Sequence, residues 1–359
     1  MKLLVTTQAV DVNEPVLGFF HRWLEALAAR VESIEVICLK EGEHRLPHNV
    51  RVHTLGKPAA VMRSLGFPAR VGYTLRFYKL VWKLRSQYDT VFIHMNPEYV
   101  VLAGPLWHAL GKPVALWYNH PAKPLALRIA AREADKVFYT STYAASAAYG
   151  HAQRMPAGID TDLFKPQLIP RDRRRLYMQG RVTPGKRVHV ALAALRLLRR
   201  DVPATLTIVG PEDAGYAADL KQQYAEEIAA GAVSFEGPKR NAETPALYSA
   251  AGAAINLAEA GHFDKTVLEP MACGTPVVVG SPAFGELIPP EWVVPGDDPH
   301  ALAAALARLI SLPEPEYEAL GARLREGVVR EHGLGALMDR LTAELSSFGA
   351  RPAGASPVL

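Results

Sequence analysis

Two segments of this chain carry residues whose types and spacing could do chemistry. In the first, Gly180-Arg181-Val182-Thr183-Pro184-Gly185-Lys186-Arg187, a β-rich run gives way to a helical pattern. The stretch nearly spells a P-loop, G-x-x-x-x-G-K followed by Ser or Thr, but Arg187 stands where the hydroxyl would ligate magnesium. What remains is a pair of cations, Arg181 and Lys186, beside the amino end of a helix. Arginine offers paired donors and lysine a point charge, so the arrangement suits a diphosphate held without metal. A solvated helix start is the plainer alternative.

The second segment runs Gly261-His262-Phe263-Asp264-Lys265-Thr266-Val267-Leu268-Glu269-Pro270-Met271-Ala272-Cys273-Gly274-Thr275-Pro276-Val277. A loop enters a short helix whose first-turn amides would favour an anion. Glu269 falls in an otherwise apolar turn, where a carboxylate without a partner is costly to bury. A pair of sugar hydroxyls would suit it; local capping or pairing is the alternative.

The elements that must position these segments alternate from end to end. Lys2–Gln8, Glu35–Lys40, Val50–Leu55, Thr90–Met95, Pro113–Asn119 and Lys136–Ser141 read as strands, with helical spacing over Gly18–Val31 and Pro124–Ala134. A second series follows: strands at Arg174–Gly180, Ala204–Gly210, Val233–Gly237, Ala253–Ala258 and Pro276–Gly280, and helices at Val188–Arg199 and Asp219–Ala229. Such alternation implies parallel sheets covered on both faces. Two series in 359 residues imply two doubly wound domains. The seam is expected near 156–172, where Pro156, Gly158, Pro166 and Pro170 precede the charged run Arg171–Arg175. In open α/β sheets ligands bind beyond the carboxyl ends of the strands, so two facing domains would hold a ligand in the cleft between them.

At this point the residues resemble a family. Arg181 and Lys186, then Leu206-Thr207-Ile208-Val209-Gly210, Leu247-Tyr248 and Leu268–Val277, are similar to the retaining glycosyltransferases of family 4, which have the GT-B fold. Gly158–Pro166 resembles that family's interdomain segment, and the likeness is close over most of 156–280. The resemblance implies two Rossmann-like domains: an acceptor-side domain over 1–158 and a nucleotide-sugar domain over 159–335. A helix over 336–348 would pack back toward the first domain, ahead of a disordered tail, 349–359. It implies a UDP- or GDP-type sugar donor and a sugar, lipid-linked or small-molecule acceptor, with no cofactor and no metal. Asp160-Thr161-Asp162, despite its metal-binding spacing, is accordingly read as linker. Arg181 and Lys186 would neutralise the leaving diphosphate, Glu269 would hold the donor ribose, and the amides of Lys265 and Thr266 would contact the phosphates. Phe263 and Asp264 would meet the transferred sugar, His120 would lie near it, and Gly18 and Gly180 would border the donor. One feature departs from the family. Its two glutamates stand eight positions apart, and eight before Glu269 is Gly261; Phe263-Asp264-Lys265 replaces the usual glutamate and glycines.

Bulk properties bound these readings. A net charge of +4 argues against a dedicated nucleic-acid binder. Cys38 and Cys273 lie in apolar runs, and a reducing cytoplasm suits them. No run of eighteen apolar residues and no signal-peptide pattern is present, so any membrane contact is expected to be peripheral. One segment suits such contact. Residues 63–87 hold six cations (Arg63, Arg70, Arg76, Lys79, Lys83, Arg85) and no acid. Arg76, Lys79 and Lys83 share one helical face; Val71, Leu75, Tyr78 and Trp82 make another, widened by Phe77, Leu80 and Val81. This could be an anionic-membrane surface or ordinary core with solvated cations. Rival readings are a non-catalytic nucleotide-sugar-binding protein on the same fold and a sugar phosphorylase. A P-loop NTPase lacks its hydroxyl, and an NAD-dependent dehydrogenase would need G-x-G-x-x-G after the first strand.

Overall fold

The computed structural model describes residues 1–14, 17–57, 67–259 and 263–350. Arg63 and the tail from residue 351 lie outside the described residues. The chain forms two compact units: unit 1 joins residues 1–158 to the stretch from Leu334 onward, and unit 2 is Ile159–Gly333.

In unit 1 the chain runs β1 (Lys2–Val10), α1 (Phe19–Ala28), β2 (Ser33–Glu41), β3 (Val50–Thr54), α2 (Phe67–Leu84) and β4 (Thr90–His94). It continues through α3 (Pro97–Ala109), β5 (Val114–Trp117), α4 (Leu125–Glu133), β6 (Lys136–Tyr139) and β7 (Ala152–Arg154). Seven parallel strands take the order β3-β2-β1-β4-β5-β6-β7. Side chains alternate across β1, so Leu3 and Val5 enter one core while Leu4 enters the core on the opposite face. Burial on both faces explains the near-continuous apolar runs of the inner strands. The short edge strand β7, only three residues long, carries no strand signal in the sequence.

Unit 2 contains β8 (Asp172–Gln179), α5 (Val188–Leu198), β9 (Thr205–Val209), α6 (Ala214–Gln223), α7 (Ala225–Ala229) and β10 (Val233–Phe235). After these come α8 (Thr244–Ala250), β11 (Ala251–Asn256), α9 (Lys265–Ala272), β12 (Val277–Val279), α10 (Pro299–Ile310) and α11 (Glu314–His332). Its five parallel strands are ordered β10-β9-β8-β11-β12. Gly252 is required in β11 because a Cβ there would lie 2.2 Å from the Arg173 carbonyl oxygen of β8. The single helix expected over Asp219–Ala229 is corrected to two. Asp213 caps an earlier start by accepting from the Tyr216 amide at 3.1 Å, and non-helical Tyr224 then breaks the run.

The chain returns to unit 1 in α12 (Leu334–Ser346). Leu337, Met338, Leu341 and Leu345 are fully buried in the same core as Trp23, Leu24 and Leu27 of α1. The Trp23 indole donates to the Gly158 carbonyl at 3.1 Å, and Arg30 of α1 pairs with Asp339 at 2.7 Å.

Helix α2 divides the apolar residues of the basic segment between two faces. Phe77, Val81 and Leu84 are buried in the unit 1 core, so Phe77 and Val81 do not widen the other stripe. Val71, Leu75, Tyr78 and Trp82 form a separate stripe, exposed by 43%, 65%, 36% and 53%. Lys79, Lys83 and Arg76 flank it, and Arg85 stacks over Trp82 at 4.4 Å.

Because α12 completes the unit 1 core, Leu341→Ala should cost about 2–5 kcal/mol of stability. Urea unfolding of the intact chain measures this; an unchanged midpoint for unit 1 would contradict the packing described.

Candidate functional site

The strand order of unit 2 reverses between β8 and β11, and loops leaving their carboxyl ends diverge there to open a crevice. A cavity at that point is lined by Gln179, Gly180, Arg181, Lys186, Asn256 and Leu257, among others. The backbone geometry depends on two glycines. Gly180, ending β8, has φ +152°, and Gly210, ending β9, has φ +146°. A Cβ on Gly210 would sit 1.9 Å from the Gly180 carbonyl oxygen, so the two loops touch backbone to backbone. The chain then turns through Pro184–Lys186 and enters α5 through Arg187. Arg187 has φ +53°, and no side chain caps the helix. Its guanidinium packs over Gly296, where a Cβ would lie 2.3 Å from Nη1.

Charge is concentrated here. Lys186 forms an ion pair with Asp264, both side chains about four-fifths buried. Asp264 also accepts from the Asn256 side-chain amide at 3.1 Å, and Asn256 reaches the Thr266 hydroxyl at 3.2 Å. Arg181 is exposed and has no side-chain hydrogen bond or ion pair among the described residues. Asp264 occupies the N-cap of α9 but makes no side-chain capping bond.

One turn into α9, Glu269 is buried and lies 3.1 Å from the Tyr248 hydroxyl. That hydroxyl is 2.9 Å from Gln179 Oε1, which also accepts from Tyr177 at 3.0 Å. Burial pushes the Glu269 carboxyl above the usual carboxylate range, opposed by the Lys265 charge and the Tyr248 bond. Burial likewise lowers Lys265, with Glu269 opposing. Glu269 therefore does pair locally, with the Tyr248 hydroxyl, and a carboxylate holding that one bond keeps capacity to accept further donors. Phe263 stacks on Phe284, ring centroids 4.5 Å apart, which fixes its plane beside Asp264.

The structure thus brings Gly180, Arg181, Lys186, Asp264, Lys265, Thr266, Glu269 and Phe263 together in unit 2. The other two expected site residues belong to unit 1. Gly18 opens α1, where a Cβ would lie 2.6 Å from the Glu14 carbonyl oxygen; neighbouring Val16 lies outside the described residues. His120 follows β5, and its Nδ1 accepts from the Ala122 amide at 3.0 Å, so the neutral ring carries its proton on Nε2. Gly261 and His262 lie outside the described residues. Asp160 accepts from the amides of Asp162 and Leu163 at 3.2 Å, a turn-capping role, and no cluster of His, Cys, Asp or Glu suited to a metal occurs among the described residues. Sequence reasoning missed Asn256 and Gln179. Both end strands flanking the reversal in sheet order, the one signal that could have found them.

Comparison with known proteins agrees with the fold. Residues 173–311 match the family model for glycosyl transferases group 1. The fold is GT-B. Over its whole length the chain resembles sucrose-phosphate synthase of Thermosynechococcus elongatus, with a TM-score of 0.80 at 18% identity, covering 98% of this chain and 100% of the other. Anabaena HepE, solved with UDP and glucose, gives 0.75 at 18% identity, covering 97% and 100%. Among curated relatives, the GDP-mannose-dependent alpha-(1-6)-phosphatidylinositol monomannoside mannosyltransferase of Mycolicibacterium smegmatis is 30% identical over 254 residues, 60% of this chain and 65% of that protein. A D-inositol 3-phosphate glycosyltransferase of Thermomonospora curvata is 29% identical over 56% of this chain and 53% of its own. The chain therefore spans less than two thirds of the length of either relative.

The contact between Gly180 and Gly210 yields a prediction. Gly210→Ala forces a positive φ on alanine and a collision with backbone, and should cost about 1–3 kcal/mol. Thermal unfolding would register it; a melting temperature equal to that of the native chain would contradict the backbone approach.

Proposed function

We propose that this chain is a metal-independent, retaining glycosyltransferase of family 4, using a UDP- or GDP-linked sugar. The observation that carries this reading is the cationic crevice at the sheet reversal of unit 2, bounded by Arg181, Lys186 and the amino end of α9. Charge develops on the diphosphate as the glycosidic bond breaks. Arg181 and Lys186 stabilise that charge more in the transition state than in the ground state, which is the condition for catalysis. The amides of Lys265 and Thr266 add donors at a helix terminus. Glu269, held neutral or charged by its balance with Lys265, accepts from the ribose hydroxyls. Phe263 and Asp264 border the transferred sugar, beside which the family resemblance also assigns His120. Retention places acceptor attack on the face that the diphosphate leaves, with a phosphate oxygen taking the acceptor proton. The absence of a glutamate at Gly261 marks a variant of the family's paired-glutamate motif.

The acceptor is lipid-linked or part of a cell-envelope glycan on this reading. The exposed stripe of α2 supports it, since an apolar row beside Arg76, Lys79 and Lys83 suits an anionic membrane surface, each cation contributing about 1 kcal/mol. No helix among the described residues is long and apolar enough to cross a membrane, so contact would be peripheral.

Two measurements test these assignments. Arg181→Ala and Lys186→Ala should each cut sugar transfer by about 10²–10³; native rates in both would end the donor-site reading. Flotation with phosphatidylglycerol vesicles should recover the chain, phosphatidylcholine vesicles should not, and Leu75→Glu with Trp82→Glu should abolish recovery. Equal behaviour of all three would remove the membrane surface.

A further inference from the structure

The anion-binding crevice already contains an anion. Asp264 places its carboxylate on Lys186, one of the two side chains assigned to the donor diphosphate. The position is unusual for what it gives up. An N-cap aspartate ordinarily accepts from the second or third amide of its helix, a bond that stabilises the helix start. Asp264 sits at that place in α9 and makes no such bond; its carboxylate is turned to Lys186 and to the Asn256 amide at 3.1 Å. Asn256 is itself 95% buried and fixed through the Ala258 amide, which donates to its Oδ1 at 3.1 Å. Asp264 is thus held toward Lys186 by a rigid partner. Both charged side chains are about four-fifths buried, so the pair interacts more strongly than an exposed one, and neither charge is readily left alone.

We propose that the Asp264 carboxylate is an internal stand-in for the donor diphosphate. It neutralises Lys186 before the nucleotide binds, yields the ammonium to a phosphate oxygen, and reclaims it as the nucleoside diphosphate leaves. This deepens the donor-site reading and rests on it. Its physical effect is a competition: two anions share one ammonium, so the nucleoside diphosphate is held less tightly than the cations alone would hold it. Release of the charged product is eased in consequence.

The test is calorimetric titration of UDP and GDP, with uridine and guanosine as uncharged controls. Asp264→Asn keeps an acceptor for Asn256 but removes the competing charge. It should bind the better nucleoside diphosphate about tenfold more tightly, with nucleoside affinity unchanged. Asp264→Ser, which can cap α9, should shift affinity in the same direction if the asparagine variant folds poorly. In a Lys186→Ala background either change should lose its effect. Unchanged or weaker diphosphate binding by the folded variants would overturn the proposal, as would a gain that persists without Lys186. Failure of the native chain to bind either diphosphate would instead remove the donor-site reading, and this inference with it.

Discussion

Compensation of buried charge governs the arrangement of unit 2. A crevice at the carboxyl edge of a parallel sheet gathers Arg181, Lys186 and Lys265 within a few residues of two helix termini; Arg181 is exposed, whereas the partly buried charges of Lys186 and Lys265 need acidic partners. Asp264 answers Lys186, and Glu269 answers Lys265 from one turn further along α9. Beneath them Tyr248, Gln179 and Tyr177 form a polar chain that carries the Glu269 carboxyl into the core without stranding it. Burial raises the carboxyl and lowers the amine, so each group depends on the other for its charge.

Backbone shape supplies the rest of that site. Gly180 and Gly210 let two strand ends meet at a distance no side chain would permit, and Arg187 takes a left-handed conformation to launch α5 directly from the turn. The result is a loop whose cations Arg181 and Lys186 line the crevice while its backbone is engaged by a neighbouring loop, the Val182 amide donating to the Pro211 carbonyl at 2.8 Å and the Val182 carbonyl accepting from the Asp213 amide at 3.1 Å. Unit 1 repeats the topology with different chemistry. At its own reversal, between β1 and β4, His94 is buried against Phe20 at 4.1 Å and lies 3.3 Å from the Thr7 hydroxyl. Aromatic packing there takes the place of paired charges.

Helix α2 shows how one element can satisfy two demands. Its Phe77, Val81 and Leu84 complete a core, and its Leu75 and Trp82 remain in solvent beside a row of cations. Exposed apolar side chains scattered singly need no explanation, but four on one stripe form a continuous patch. A helix with two apolar faces has a broad, weak amphipathic pattern, which is why periodicity could not separate them.

The sequence by itself determined the architecture. Strand runs such as Thr90–Met95 and Ala253–Ala258 are apolar along their length because both sheet faces are covered, and that pattern is local and legible. Glycines, prolines and the Arg181/Lys186 spacing marked the loop that matters, again because turn chemistry is local. Tertiary structure alone decided which distant residues meet. Lys186 and Asp264 are 78 positions apart, and their pairing depends on β8 and β11 being neighbours, which follows from strand order rather than from any motif. Asn256 and Gln179 carry no signal of their own until that order is known. The core face of α2 was likewise settled by packing, because helical spacing fixes which residues share a face but not which face the protein covers.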